Sequence, residues 1–337
     1  MPFDSRFCGG NMPEQLSLIG GTSNFQLAKE ISKNLKVNLV PIEVKRFNDG
    51  ELYVHIEKSV RGSKVFIVQS TSPPVNDNLI QLLLIVDACR RASAKEINAI
   101  IPYYGYSRQD RKNIPREPIS AKLVANMIEK AGVDRVVTFD LHVDQIQGFF
   151  DIPVDNLEAI PLIANYLLNK KLKDLVVVAP DVGGARRARK LAKILDTRIA
   201  IIDKRRPEHG VAEIVNVIGE IGNMDCVLVD DIIDTAGTIT NAARVLKEKG
   251  ANKIFVCATH AVFSGPAVER LVNAPIEEVI VTNSINILEE KKFDKLKIIS
   301  LAGLLADSIR KIHEGTPMGV LFDELYKNIE EKRNKLK

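Results

Sequence analysis

Residues 226–238 carry most of the structural and functional information in this chain, and they read Cys-Val-Leu-Val-Asp-Asp-Ile-Ile-Asp-Thr-Ala-Gly-Thr. The apolar run 227–229 is typical of a buried strand. The amphipathic stretch 240–249, which is followed by Gly250, is typical of a helix. The sequence therefore predicts a strand, a short polar turn and a helix, with the turn lying at the helix N-terminus.

This turn is predicted to bind a phosphate group. The positive end of the helix dipole lies behind it, and four backbone N–H groups point into one concavity, those of Thr235, Ala236, Gly237 and Thr238. Gly237 lets the backbone approach the ligand closely. Carboxylates cannot help to hold a phosphate, so Asp230 and Asp231 are expected to face ribose hydroxyls or Mg²⁺. The predicted ligand is a sugar phosphate.

The simpler alternative is an ordinary strand-to-helix connection whose Asp and Thr residues only cap the helix. Capping needs one such residue, whereas this turn carries five. The chain has neither a Gly-x-x-x-x-Gly-Lys-Ser/Thr phosphate loop nor a Gly-x-Gly-x-x-Gly dinucleotide motif. The usual kinase and dehydrogenase architectures are therefore disfavoured.

The composition indicates a globular protein of two domains. The chain has 337 residues, 45% of them hydrophobic and 27% charged, with a net charge of only +4. Because Lys and Arg are dispersed, nucleic-acid binding is not expected. There is no secretory signal and no 18-residue apolar run, so we expect a cytoplasmic protein without membrane association. Its isolated cysteines are expected to be reduced thiols.

Apolar runs alternate with helical patterns along the chain, which predicts an α/β protein. We expect two similar domains, each a mostly parallel sheet flanked by helices. The predicted boundaries are an N-terminal extension over 1–14, a first domain over 15–153 and a second domain over 154–308. Residues 309–337 are predicted to pack back on the first domain, with a charged, solvated tail from residue 322.

Two polar residues follow predicted strands and can reach the ligand edge of a parallel sheet. His142 follows the strand 136–139, and Asp181 follows the strand 175–179. A lone His is more often structural, and Asp before a helix is often a cap. Together they are candidate metal ligands.

Three loops carry further chemistry. Residues 204–207, Lys-Arg-Arg-Pro, could place cations beside a phosphate site, although loop charges are usually only solvated. Residues 103–112 interleave aromatic and cationic side chains, which suits a nucleotide base and its phosphates. Residues 47–51, Phe-Asn-Asp-Gly-Glu, combine an aromatic side chain with two carboxylates. Considered alone, this segment is typical of an ordinary polar turn.

Taken together, these segments resemble the ribose-phosphate pyrophosphokinase family, also called phosphoribosyl pyrophosphate synthetases. The resemblance runs over residues 16–312 and is most specific at 47–51, 103–112, 140–153, 204–207 and 230–238. Type I phosphoribosyltransferases share only the last motif. The resemblance implies two phosphoribosyltransferase-like domains, assembled as a homohexamer built from dimers. It also implies that ATP transfers its β,γ-diphosphate to ribose 5-phosphate, giving phosphoribosyl pyrophosphate and AMP for nucleotide biosynthesis.

The resemblance further implies a role for each matched residue. The 5-phosphate would bind in the turn formed by Asp234, Thr235, Ala236, Gly237 and Thr238. The sugar hydroxyls and Mg²⁺ would be organised by Asp230 and Asp231, with His142 and Asp181 as metal ligands. ATP would be bound by Phe47, Asp49 and Glu51 of one subunit together with Arg108, Gln109 and Asp110. The catalytic cations would be Lys204 and Arg206.

The resemblance extends only in part to regulation. Arg90, Arg91 and Ser93 match an allosteric anion site for control by ADP and phosphate, whereas Gly and Val in the segment 318–322 replace a Ser-Tyr pair of many regulated members. Val182 stands where relatives tend to carry His or Ala.

Two alternative functions are a catalytically silent, synthetase-associated subunit and a phosphoribosyltransferase that consumes the diphosphate. The retained metal ligands disfavour the first, and the chain length and ATP loop disfavour the second.

Overall fold

Short apolar runs form the strands of two parallel sheets in the computed structural model, which describes residues 15–170, 172, 174–205 and 214–336. The strands of the first half are β1 (Leu16–Gly20), β2 (Leu39–Val40), β3 (Ile42–Arg46), β4 (Leu52–Ile56), β5 (Lys64–Val68), β6 (Glu96–Ile101), β7 (Arg135–Phe139) and β8 (Val154–Leu157). Its helices are α1 (Phe25–Leu35), α2 (Val75–Arg91), α3 (Ser120–Ala131) and a 3₁₀ helix (Asp144–Phe149). The first sheet has the parallel order β2-β1-β5-β6-β7-β8, and β3 pairs with β4 as an antiparallel hairpin.

The second half repeats this architecture. Its strands are β9 (Val176–Ala179), β10 (Arg198–Arg205), β11 (Ile214–Ile218), β12 (Cys226–Ile233), β13 (Ile254–Ala261), β14 (Glu278–Thr282) and β15 (Leu296–Ile299). Its helices are α4 (Ile160–Leu168), α5 (Ala185–Leu195), α6 (Gly237–Glu248), α7 (Ala267–Asn273) and a 3₁₀ helix (Glu289–Lys291), followed by α8 (Ala302–Glu314) and α9 (Gly319–Leu336). The sheet order is β11-β10-β9-β12-β13-β14-β15, parallel except for β11. The predicted α/β class with parallel sheets is confirmed.

Helices cover both faces of each sheet, which explains why the strands are apolar on both sides. In the first half, α2 and α3 pack on one face while α1 and α8 pack on the other. In the second half, α6 and α7 cover one face while α4 and α5 cover the other. The central residues 227–229 of β12 are completely buried. Burial of such runs is the main favourable contribution to folding.

The boundary between the halves lies beyond the predicted residue 153. Val154 pairs in parallel with Val136, so β8 is the edge strand of the first sheet, which therefore extends to Leu157. Pro153 precedes this strand and does not end the domain. The predicted boundary failed to include β8 because a four-residue edge strand gives a weak pattern.

The C-terminal segment is more ordered than its charge suggests. Helix α8 packs against α1 of the first half, whereas α9 lies along α4 and α5 of the second half. Ile329 is buried, and the Tyr326 hydroxyl donates a hydrogen bond to Glu158. The prediction of a solvated tail from residue 322 is therefore wrong for the described residues, because a narrow apolar stripe on a charged helix is enough to dock it.

Buried polar contacts join the two halves. The imidazole Nε2 of His260 on β13 lies 3.2 Å from the carbonyl oxygen of Phe139 and 3.4 Å from that of Asp140, so this nitrogen carries the proton. Its Nδ1 lies 2.9 Å from the hydroxyl of Ser284, and the ring packs edge-on against Tyr103. Complete burial lowers the pKa of His260 to about 4.

The structure agrees with the expected reduced thiols, because Cys89, Cys226 and Cys257 are buried and form no disulfide. Cys8 and the N-terminal extension over 1–14 lie outside the described residues. Within the part of the chain that the structure describes, no helix is both long and apolar enough to span a bilayer.

Candidate active site

A cavity of about 500 Å³ opens at the carboxyl edge of the second sheet, where parallel sheets bind ligands. Residues from both halves of the chain line it. They are Arg108, His142, Val143, Asp181, Gly183, Gly184, Arg187, residues 230–238 and Ile239. The structure thus brings the turn predicted from residues 230–238 together with both candidate metal ligands and one candidate ATP ligand.

The turn predicted to bind phosphate follows β12 and leads directly into α6. Ala236 adopts a left-handed backbone conformation with φ of 59°, and α6 begins at the next residue, Gly237. The Arg270 guanidinium donates a hydrogen bond to the carbonyl oxygen of Thr235 at 2.9 Å. A helix N-terminus with a cation beside it favours an anion, so this turn can hold a phosphate.

Two adjacent carboxylates lie at the end of β12, beside the turn. Nη1 of Arg187 lies 3.1 Å from Oδ1 of Asp230 and 3.3 Å from Oδ1 of Asp231. Nδ1 of His142 lies 2.8 Å from Oδ2 of Asp231. Because His142 comes from the first half, this contact ties the two halves together at the cavity.

The surroundings shift the pKa values of the two carboxyl groups in opposite directions. Burial raises the pKa of Asp230, and the neighbouring carboxylate adds to the rise. Burial also opposes ionisation of Asp231, but hydrogen bonding to His142 and the charge of Arg187 outweigh it and lower the pKa of Asp231. The same hydrogen bond raises the pKa of His142. The pair therefore offers a firmly ionised acceptor next to a more easily protonated one, which suits the recognition of neighbouring hydroxyls.

The candidate metal ligands His142 and Asp181 line the same cavity. Oδ1 of Asp181 accepts a hydrogen bond from the backbone N–H of Gly184 at 2.9 Å, so this carboxylate also orders the turn that leads into α5. Among the described residues, no three His, Cys, Asp or Glu side chains converge on one point as an all-protein metal cage. This donor set suits a cation shared with water and substrate phosphates, which is how Mg²⁺ is commonly bound.

The loop that follows β6 brings candidate ATP ligands to the cavity. Nη1 of Arg108 lies 2.7 Å from Oδ2 of Asp234 and forms a second link between the halves. Gln109 points elsewhere, because its side-chain oxygen accepts a hydrogen bond from the Ser120 hydroxyl at 2.6 Å. Asp110 lies close enough to His142 to contribute to the rise in its pKa.

The hairpin candidates lie away from this cavity. Phe47, Asp49 and Glu51 form the exposed turn between β3 and β4, and none of them lines the cavity. Oδ1 of Asp49 accepts the backbone N–H of Glu51 at 3.0 Å, which stabilises the turn. Within one chain these residues are therefore not brought to the phosphate turn.

The remaining candidates are placed only in part. Strand β10 ends at Arg205, and the backbone of Lys204 pairs with Val215, whereas Arg206 lies outside the described residues. The anion-site candidates occupy the C-terminal end of α2 and the turn after it, away from the cavity. They are Arg90, Arg91 and Ser93.

Two cations at the site, Arg187 and Arg270, were not predicted from the sequence. Both lie on helices whose charged residues look solvated, and only the fold brings them to the cavity and the turn. The position of Arg187, three residues after Gly184 in the Asp181 motif, was the available signal.

Comparisons with known proteins agree with this geometry. A family model described as the N-terminal domain of ribose phosphate pyrophosphokinase matches residues 16–132, and one described as a phosphoribosyl synthetase-associated domain matches residues 207–323. The chain is 54% identical to the ribose-phosphate pyrophosphokinase of Fusobacterium nucleatum over 310 residues, covering 91% of this chain and 98% of that protein. It is 53% identical to that of Bacillus caldolyticus over 309 residues, covering 92% and 98%. The crystal structure of phosphoribosylpyrophosphate synthetase from Mycobacterium smegmatis superimposes with a TM-score of 0.86 at 43% identity, covering 90% of this chain and all of that one.

Proposed function

The chain belongs to the ribose-phosphate pyrophosphokinase family, and from that premise we propose how its cavity carries out the reaction. The enzyme transfers the β,γ-diphosphate of ATP to the 1-hydroxyl of ribose 5-phosphate and releases AMP. One observation carries the proposal for the site. A phosphate-binding turn, a carboxylate pair and cations from both halves line a single cavity.

Ribose 5-phosphate would bind with its phosphate in the turn formed by Asp234, Thr235, Ala236, Gly237 and Thr238. The backbone N–H groups and the N-terminus of α6 attract the dianion. Asp230 and Asp231 would accept hydrogen bonds from the ribose hydroxyls. Arg108 would exchange its ion pair with Asp234 for contacts to ATP, because a guanidinium binds phosphate oxygens through two parallel hydrogen bonds.

Mg²⁺ is the proposed metal, and His142 and Asp181 would hold it. When bound, it neutralises charge on the diphosphate that is transferred. The residues of the chain supply the positioning. The hydrogen bond between Nδ1 of His142 and Asp231 keeps the two halves of the site together, while the hydrogen bond from the Gly184 N–H to Asp181 orders the turn that leads into α5.

In the proposed reaction, the 1-hydroxyl oxygen of the sugar forms a bond to the β-phosphorus of ATP, and the proton of this hydroxyl leaves to water. The bond from that phosphorus to the bridging oxygen of the α-phosphate breaks, and AMP leaves. Charge develops on the non-bridging oxygens during the transfer, and fixed cations stabilise it. Lys204 and Arg206 remain the proposed catalytic cations, and Arg108 remains a proposed ATP ligand.

A homohexamer built from dimers is the proposed assembly, and it would supply the rest of the ATP site. The hairpin residues Phe47, Asp49 and Glu51 are exposed and distant from their own cavity, which suits binding of adenine at a neighbouring subunit. Exposed apolar side chains on α2 and α3, which include Ile80 and Leu123, support an interface. The anion site at Arg90, Arg91 and Ser93 and the cytoplasmic location stay predictions.

Steady-state assays test the proposal. Purified protein with ATP and Mg²⁺ should release AMP only when ribose 5-phosphate is present. Lys204→Ala should lower the turnover number by at least about a hundredfold, as expected for the loss of a transition-state cation. Lys249→Ala, at the exposed residue that follows the C-terminal end of α6, is the matched control. Release of ADP in place of AMP, or full turnover by Lys204→Ala, would contradict the proposed mechanism.

A further inference from the structure

Arg187 is the described side chain that contacts both carboxylates of the sugar site. Its Nη1 lies 3.1 Å from Oδ1 of Asp230 and 3.3 Å from Oδ1 of Asp231, so one nitrogen bridges the pair. The Arg187 side chain is only 19% exposed, and that of Asp231 only 5%. A pair of buried carboxylates would repel each other without such a bridge, because their charges are poorly screened there.

The location of Arg187 on its helix is electrostatically unusual. It is the third residue of α5, whose N-terminus carries the positive end of the helix dipole and disfavours a cation. Helix stability therefore does not account for an Arg at this position. The contacts to Asp230 and Asp231 account for it, because a partly buried charged side chain is stabilised when oppositely charged groups lie beside it.

The bridge also decides which carboxylate oxygens are available. Arg187 binds Oδ1 of both residues, and Oδ1 of Asp230 accepts the backbone N–H of Asp231 at 2.9 Å as well. His142 contacts only Oδ2 of Asp231. With both Oδ1 atoms occupied, each carboxylate is held at a fixed rotation about its side-chain bond.

We propose that Arg187 is a positioning residue that fixes Asp230 and Asp231 for recognition of the adjacent hydroxyls of the ribose ring. This inference rests on the proposed function, because it assigns the carboxylates to ribose 5-phosphate. Arg187 acts through the two carboxylates, and its loss lets them rotate and repel each other. Recognition of the sugar hydroxyls then fails while the phosphate turn, which lies beyond the pair, still binds its ligand.

Selectivity between two sugars measures this role directly. Calorimetric titration without ATP, at one fixed Mg²⁺ concentration, gives dissociation constants for ribose 5-phosphate, 2-deoxyribose 5-phosphate and inorganic phosphate. Wild-type protein should prefer ribose 5-phosphate to its 2-deoxy analogue by about tenfold or more, as expected for a hydroxyl bound to a charged acceptor. In Arg187→Met this ratio should fall to within about twofold of one. The dissociation constant for inorganic phosphate should stay near the wild-type value.

Two further variants complete the test. Arg187→Lys keeps the charge without the planar fork, so its selectivity should lie between those of wild type and Arg187→Met. Arg189→Met makes the same change on an exposed face of the same helix and should keep the wild-type ratio. In turnover assays, the loss should appear as a raised KM for ribose 5-phosphate with little change in the KM for ATP.

The results distinguish a failure of the proposed role of Arg187 from a failure of the proposed function. If wild-type protein neither binds ribose 5-phosphate nor releases AMP, the proposed function fails, and the inference fails with it. If wild type binds and reacts but Arg187→Met keeps the full sugar selectivity, the inference alone is overturned. Should Arg187→Met not fold, Arg187→Lys decides, since an unchanged ratio in that variant also overturns the positioning role.

Discussion

Replacing His260 with Gln should remove a pH dependence from the stability of the protein. The imidazole has a folded pKa of about 4 against an ordinary value of 6.5, because it is completely buried between the two halves. Between these values the unfolded chain binds more protons than the folded one, so stability falls as the pH falls. The gap corresponds to about 3 kcal/mol in full, of which about 2 kcal/mol is lost between pH 7 and pH 5.

Urea unfolding at pH 7 and pH 5, on wild type and His260→Gln, measures this quantity. Gln can place an amide N–H where Nε2 of His260 now faces the carbonyl oxygen of Phe139, so the hydrogen bond is kept while titration is lost. His142 works in the opposite direction, because its pKa is raised and its contact with Asp231 stabilises the fold as the pH falls. Since both proteins retain His142, the difference between them isolates His260.

Wild type should lose about 2 kcal/mol more than His260→Gln on going from pH 7 to pH 5. His55→Gln, at an exposed position on β4, is the control and should behave as wild type does. A stability difference between wild type and His260→Gln that is the same at both pH values would contradict this prediction, because it would mean that burial of the imidazole does not resist protonation.

Two stability predictions concern packing that the sequence did not reveal. Gly105→Ala should lower the free energy of unfolding, measured in urea, by about 2 kcal/mol, because the added Cβ would lie 2.4 Å from the backbone oxygen of Thr71. In the control Gly222→Ala the added Cβ meets no atom within 4 Å, so the free energy of unfolding should stay near the wild-type value. Ile329→Ala should lower the free energy of unfolding by about 2–4 kcal/mol, because the Ile329 side chain is buried on the face of α9 that packs against α4 and α5. Val320→Ala, at an exposed position on the same helix, should cost far less, and equal unfolding midpoints for the two variants would contradict the docking of α9.

Local patterns in the sequence were enough to predict the turn at the site. A completely apolar run, three carboxylates and a glycine lie within thirteen residues, and each signal depends only on neighbours along the chain. The alternation of such runs with amphipathic helices likewise predicted two parallel sheets. The family resemblance then supplied the direction of the reaction, which no local pattern contains.

Contacts between distant segments account for what the sequence could not predict. Arg187 and Asp230 are far apart in the chain, and helical periodicity classes Arg187 as one more charged residue of α5. The bond from His142 to Asp231 depends on how the two sheets are placed against each other. The docking of α9 depends on the exposed surfaces of α4 and α5, which the sequence of α9 does not encode.

The most direct test of the central claim follows the β-phosphorus of ATP. The protein is incubated with Mg²⁺, ribose 5-phosphate and ATP labelled with ³²P at the β-position, and the products are separated. Transfer of the β,γ-diphosphate should give unlabelled AMP and a labelled sugar diphosphate in equal amounts. Label that leaves ATP as ADP, with a sugar that carries only the γ-phosphate, would contradict it.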